Sequence, residues 1–321
     1  MPKSIKIKLC WLLLCAVLAC AGFMFAAVNP KFLHFALSLR LPTLCAILIS
    51  AFAIGAASLV FQTLVQNNIL TPCLLGMNSL YLLLHTVLVF TAGLGSFIVT
   101  NPTLAFGADL LLMALTAVFL YSYIFKKTRY NVLYVMLIGT VLTTFFTSLQ
   151  NTLVRIMDPA DYDALLNTLT ASFSHVNSEI LIAAPIVLLL TALWLRRDLQ
   201  SLDAMSLGRS VAINLGINYD QTLRRLLLGV TLYIAVATAL VGPLSFMGLI
   251  TTNLARALLP TFRHTALISG SVLFGVLILA AGELLTEHIF VFAVPVSVFI
   301  TVFGGAYFLY LILRTSGGRH A

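Results

Sequence analysis

Residues 41–108 read LPTLCAILISAFAIGAASLVFQTLVQNNILTPCLLGMNSLYLLLHTVLVFTAGLGSFIVTNPTLAFGA, 68 positions without a single Lys, Arg, Asp or Glu. One crossing of a bilayer's hydrocarbon core takes about 20 helical residues, so this run is too long for one helix. Its interruptions show where it turns. Gln66-Asn67-Asn68 and Thr71-Pro72 near the middle, then Gly93, Gly95, Asn101 and Pro102 near the end, carry loop-forming residues. The stretch therefore holds helices over roughly 41–65 and 73–93 and opens a third near 103.

The remainder of the chain repeats the pattern. Further uncharged runs extend over 9–30, 110–125, 130–154, 180–195, 226–255, 264–282 and 288–313. The run 226–255 breaks at Gly242-Pro243, and a short helix over 245–259 follows. Ten spans result: 9–28, 41–65, 73–93, 103–125, 130–152, 178–195, 225–242, 245–259, 265–286 and 296–314. The predicted fold is an all-α integral membrane protein in one domain over 1–321. Composition agrees, with 61% hydrophobic residues, 9% charged residues and a mean hydropathy of +1.07. Only 28 of 321 side chains are Lys, Arg, Asp or Glu, too few to coat a water-soluble globule or to serve a nucleic-acid binder.

Lys and Arg are retained on the cytoplasmic side of short loops. Placing the N-terminus inside puts 15 of the 18 bases in the cytoplasm, with only Lys31, Arg40 and Arg155 outside. Both termini are then cytoplasmic. The acids run the other way, for Asp109, Asp158, Asp161, Asp163, Glu179, Glu283 and Glu287 fall in the outer half. The basic start and Val17-Leu18-Ala19-Cys20 echo a cleaved lipoprotein signal, but a 22-residue apolar run followed by nine further spans reads as a first membrane helix. Cys10, Cys15, Cys20, Cys45 and Cys73 lie in or beside membrane helices without metal-ligand spacing, and read as packing residues.

The chain has no phosphate-binding glycine loop with its lysine, no helical pair of histidines with a carboxylate and no serine nucleophile elbow. No acid sits at the centre of a predicted span, where an ion-driven carrier would hold one. His85 alone of the six histidines lies well inside a helix, and satisfaction by one neighbour explains it better than a proton relay. The longest polar cytoplasmic segment, Arg196 to Arg225, is predicted as two short helices. Gly216 suits the left-handed position that ends one helix, and Asn218 or Asp220 suits the cap of the next. A solvated loop and a docking surface for an external motor both fit this segment.

A set of motifs in fixed order decides between them. Arg40-Leu41-Pro42, Gly55, Gln62, Asn68, Pro72 and Leu75-Gly76 come first; Leu207-Gly208, Ala212 and Leu215-Gly216 follow. Then come Gly242-Pro243-Leu244-Ser245-Phe246-Met247-Gly248-Leu249-Ile250 with Ala255-Arg256, then Val294-Pro295-Val296 and Gly304-Gly305-Ala306-Tyr307-Phe308-Leu309. Over residues 40–314 the chain resembles the permease subunits of iron-siderophore and cobalamin ABC importers, and within them those for ferric catecholate siderophores. The resemblance implies the type II ABC importer permease fold of ten helices, and two such subunits around a central path. It further implies two cytoplasmic ATPase subunits below and a periplasmic or lipid-anchored binding protein above. It makes Leu207, Gly208, Ala212, Leu215 and Gly216 part of the coupling helices, within 199–225, that enter the ATPases. Gly242-Pro243 would mark the break between the seventh and eighth spans, as a gating element or as a packing kink. Gly304-Gly305 would let helices approach closely. No cofactor or metal is implied.

This chain departs from the family pattern at its outer face. The family's Arg-Leu-Pro-Arg is Arg40-Leu41-Pro42-Thr43, and its outer arginine late in the ninth span is matched by Glu287. Those arginines receive carboxylates of the binding protein, so Arg40 is the one docking base retained, unless it caps a helix end or reaches lipid head groups. A pair of such chains would be poor in docking bases, which implies a heterodimer with a different permease. Pro-His of the family is Thr252-Asn253, and Gly-Ala-Pro is Gly304-Gly305-Ala306. The function expected is a permease subunit that translocates an iron-siderophore complex across the bacterial cytoplasmic membrane and performs no covalent chemistry. The alternative is an ion-coupled secondary carrier, which a mid-membrane carboxylate pair would favour. An integral membrane enzyme would need a polar catalytic cluster, and only Asp158, Asp161 and Asp163 in an outer loop cluster at all.

Overall fold

The structure is a computed structural model that describes residues 3–26, 31, 33–93, 96–128, 132–159, 162, 165, 173, 178–291 and 294–317. Ten principal helices fall on the predicted spans: α1 (Lys3–Phe25), α2 (Leu33–Val65), α3 (Met77–Ala92), α4 (Pro102–Lys127) and α5 (Val132–Ile156), then α6 (Ser178–Trp194), α7 (Tyr219–Val241), α8 (Met247–Leu258), α9 (His264–His288) and α10 (Val296–Gly317). Among the described residues, α1, α2, α4, α5, α7 and α9 are long and apolar enough to cross a membrane, and α3, α6 and α10 contribute shorter apolar helices.

Three boundaries differ from the sequence expectation. α2 begins at Leu33 rather than near 41, because Pro42 is taken up inside the helix instead of starting it. α7 begins at Tyr219 rather than 225, so the last cytoplasmic turn runs unbroken into the membrane helix. α8 has only 12 residues. At 1.5 Å per residue it is roughly 18 Å long, short of the roughly 30 Å hydrocarbon core. It is not a span in itself. The non-helical stretch 242–246 carries the chain down from the end of α7, and α8 completes the return.

Helices in lipid gain little from the hydrophobic effect on meeting one another, so close van der Waals packing decides their contacts. α2 is the central element, and every residue from Ala53 to Val65 is buried. It crosses α9 through small side chains. A Cβ on Gly55 would stand 3.1 Å from the Ser271 and Val272 backbone, and one on Gly275 would stand 3.0 Å from the Ala51 Cβ. α8 meets α2 even more closely, since a Cβ on Gly248 would lie 1.9 Å from the Ser58 hydroxyl. At the outside of the fold, Trp11, Leu14 and Leu18 of α1 and Leu137, Val141 and Phe145 of α5 are exposed, apolar surface suited to lipid or to another subunit.

The Gly304-Gly305 pair divides. A Cβ on Gly304 would lie 2.5 Å from the Phe246 Cβ, whereas one on Gly305 meets nothing within 4 Å. Close approach therefore explains the first glycine and not the second.

Candidate functional site

The segment between α6 and α7 folds into three short helices rather than two, Arg196–Gln200, Leu202–Met205 and Arg209–Asn214. Gly208 and Gly216 interrupt them with φ of +105° and +84°. Both angles lie in the region open to glycine and hostile to a β-branched residue. Asn218 stands at the N-cap of α7 but makes no side-chain cap bond; its amide meets Gln221 instead. Asp220 pairs with Arg209 at 3.2 Å, and Asp198 lies 3.8 Å from Arg225. The Arg209–Asp220 pair is exposed and contributes about 0–1 kcal/mol, so it aligns the segment more than it secures it.

Its anchors are apolar. Leu202, Met205 and Ala212 are buried in the same core as α2 and α7. Leu207 and Leu215, by contrast, are 63% and 62% exposed, with Val211 and Ile213 also outward. The sequence-predicted residues thus divide into a buried side chain (Ala212), two glycines at positive φ (Gly208, Gly216) and two exposed leucines (Leu207, Leu215). Four large apolar side chains thus stand exposed on a polar, base-rich segment, as side chains at a protein interface do.

Asp203, which sequence reasoning passed over, ties this segment to the membrane helices. Its Oδ1 accepts the backbone N–H of His264, the first residue of α9, at 3.0 Å. The same oxygen accepts the His264 Nδ1–H at 2.5 Å. The other ring nitrogen, Nε2, meets the Thr63 hydroxyl of α2 at 3.0 Å. Partial burial pushes the Asp203 carboxyl up. The His264 backbone and ring and the Arg263 charge outweigh that and hold it below the ordinary carboxylate range. An acid caps a helix sixty-one positions away in sequence, and no local spacing announces such a contact.

At the opposite end, Arg40 turns inward. Its guanidinium donates to the Phe23, Met24 and Ala26 carbonyls at 3.0, 3.2 and 2.9 Å and pairs with Glu287. It also lies over the Phe23 ring. Its Nη1 and Nη2 groups are thus engaged by the end of α1 and by α9. The substitution at Glu287 is explained together with it: the acid that replaces a family arginine is the partner of the arginine that remains. Of the outer-loop acids, Asp161 and Asp163 lie outside the described residues.

Gly242 ends α7 at φ +81°, and Pro243 opens the non-helical descent to Phe246, itself at φ +61°. The Leu244 carbonyl there lies 3.9 Å from the Cys73 sulfur, and the Phe246 and Phe308 rings stand 5.8 Å apart. Midway along α8, Thr252 and Asn253 are absorbed into a network. Gln62 donates to Thr252 at 2.9 Å and to the Asn68 carbonyl at 2.8 Å, and Asn253 donates to the same carbonyl at 3.0 Å.

His85 does have its neighbour. It meets the Asp109 carboxylate at 2.6 Å, and Tyr81 donates to that carboxylate at 3.3 Å. Asp109 is 2% exposed and lies seven residues into α4, roughly 10 Å from its outer end. Glu283 is buried one turn before Glu287, near the outer end of α9. Neither acid stands at mid-helix, and no two carboxylates share a site at that depth among the described residues. The five cysteines are free, and no cluster of metal-binding side chains occurs among the described residues.

The model of the FecCD transport family matches residues 8–314. A petrobactin import system permease protein of Bacillus subtilis is 38% identical over 275 residues, covering 86% of this chain and 87% of that protein. A petrobactin import system permease protein of Bacillus anthracis is 28% identical over 276 residues, covering 86% and 78%. Among solved structures, a chain of a metal-chelate type ABC transporter in an inward-facing conformation superimposes with a TM-score of 0.79 at 22% identity. It covers 96% of this chain and 99% of that one.

Proposed function

The chain belongs to the FecCD transport family, and we propose that it is the permease subunit of an ATP-driven importer that carries a ferric siderophore across the bacterial cytoplasmic membrane. Its own residues form and break no covalent bond of the cargo; ATP is hydrolysed by separate subunits. The complex holds a second, different permease, two cytoplasmic ATPase subunits and a periplasmic or lipid-anchored siderophore-binding protein. ATP binding moves the segment 196–216, and the helices attached to it open the path alternately to each side.

The observation that carries this reading is the exposed apolar edge of Leu207, Val211, Ile213 and Leu215 on a segment whose other side is anchored in the core. A solvated loop would have no use for it, whereas an ATPase cleft would bury it. In a complex co-expressed with its ATPase and freed of native cysteines, L207C and L215C should cross-link to cysteines placed around the ATPase cleft. A cysteine on the outward apolar face of α5, L137C, supplies the negative control. Absence of any Leu207 or Leu215 adduct in an assembled complex would contradict the reading.

Arg40 serves in this account as an internal brace that joins the outer ends of α1, α2 and α9. The buried His85–Asp109 pair is a feature that would suit an ion-coupled carrier. Its place near the outer end of α4 and its bond to Tyr81 suit a packing contact between α3 and α4.

A further inference from the structure

We propose that Asp203, His264 and Thr63 form the clasp through which motion of the ATPase-facing segment reaches the membrane helices. The proposal rests on the importer reading and adds to it the residues that transmit force. The exposed edge begins four residues after Asp203, at Leu207, and between them lies a single helical turn bonded from Ser206 to Leu202 and from Gly208 to Met205. A push on Leu207 or Leu215 is therefore delivered to the short helix that bears Asp203. Hydrogen bonds to an ionised group are shorter and stronger than neutral ones, and Asp203 makes two of them to the first residue of α9.

The clasp grips a unit, not a single helix. His264 carries the contact on to Thr63 of α2, and Thr63 in turn bonds the Leu59 carbonyl within α2. Further along, α2 and α9 touch backbone to backbone at Gly55 with Ser271, where the Ser271 hydroxyl also donates to the Gly55 carbonyl at 3.2 Å. At their outer ends Arg40 of α2 pairs with Glu287 of α9. The two helices are joined at the cytoplasmic end, the middle and the outer end, and so move as one body. Leu202 and Met205 pack the short helix that bears Asp203 into the core that contains α2, and the Met205 carbonyl lies 3.5 Å from the Gln66 amide; Asp203 adds the charged, directional hold on α9.

Asp203 is a positioning residue for transport and not a cargo ligand, so the informative quantity is cargo moved per ATP hydrolysed. The complete complex, with binding protein and ferric siderophore, is reconstituted in proteoliposomes and both rates are measured. D203A should still co-purify with the ATPase and hydrolyse ATP, while the ratio falls about tenfold or more. D203N keeps an acceptor oxygen for both N–H groups and should retain most of the ratio. T63V removes the far end of the clasp at nearly constant volume and should lower the ratio several-fold. If D203A fails to assemble, T63V decides alone. A wild-type ratio in assembled D203A or in T63V overturns the clasp while leaving the importer reading in place. An unmodified complex that takes up no siderophore with ATP overturns the importer reading and the clasp with it.

Discussion

Gly304 and Gly305 are chemically identical neighbours with different surroundings. The 2.5 Å approach of a Gly304 Cβ to the Phe246 Cβ involves an atom fixed to the backbone, in a residue already held at φ +61°. G304A must displace the loop below Gly242-Pro243, and overpacking of this kind costs about 1–3 kcal/mol. G305A enters open space within the chain. We expect G304A to lower the melting temperature of the purified subunit by several degrees and G305A to leave it within about one degree, with ~1 kcal/mol corresponding to a few degrees. Equal shifts would contradict the close contact between α10 and the loop. The glycine pair was visible in the sequence, but which member bears the contact depends on the rotation of α10 against Phe246. The roles of Asp203 and Arg40 were likewise hidden. Both make contacts between residues distant in sequence, and charge counting could not reveal that the partner of Arg40 is Glu287.

At the scale of elements, long uncharged runs and their breakers located all ten helices, because every lipid-facing backbone group must be bonded within its own helix and the run length follows from that need. Depth was not legible. Residues 245–259 are apolar enough to resemble a span, yet α8 starts inside the protein because the break at Gly242 extends to Phe246. The cytoplasmic segment was legible at Gly216, whose φ of +84° follows from its place between two helices. No atom crowds a Gly216 Cβ, so substitutions there test backbone strain alone. G216V should introduce about 1–3 kcal/mol of local strain, whereas G216N, which tolerates the left-handed region, should introduce less. Uptake and binding-protein stimulation of the ATPase should fall in G216V with membrane levels intact, and G216N should retain most of both. Full activity in G216V would return the segment to the status of an ordinary loop.

For the whole molecule, the architecture joins two ends through one stiff body. The α2–α9 pair runs from the Asp203 clasp to the Arg40–Glu287 brace, and the remaining helices pack around it with apolar faces turned outward. On the proposed reading, work enters this body from the cytoplasmic side, as an ATP-driven permease requires and an ion-coupled carrier does not. The carrier would use the buried acids, and Asp109 and Glu283 are placed apart, near the outer ends of α4 and α9. The most direct test is uptake of iron-labelled ferric siderophore into proteoliposomes that contain the complete complex, with loaded binding protein on the outer face and ATP in the lumen. Uptake should require luminal ATP and persist when a protonophore abolishes the proton gradient; uptake that proceeds without ATP and collapses with the protonophore would contradict the account.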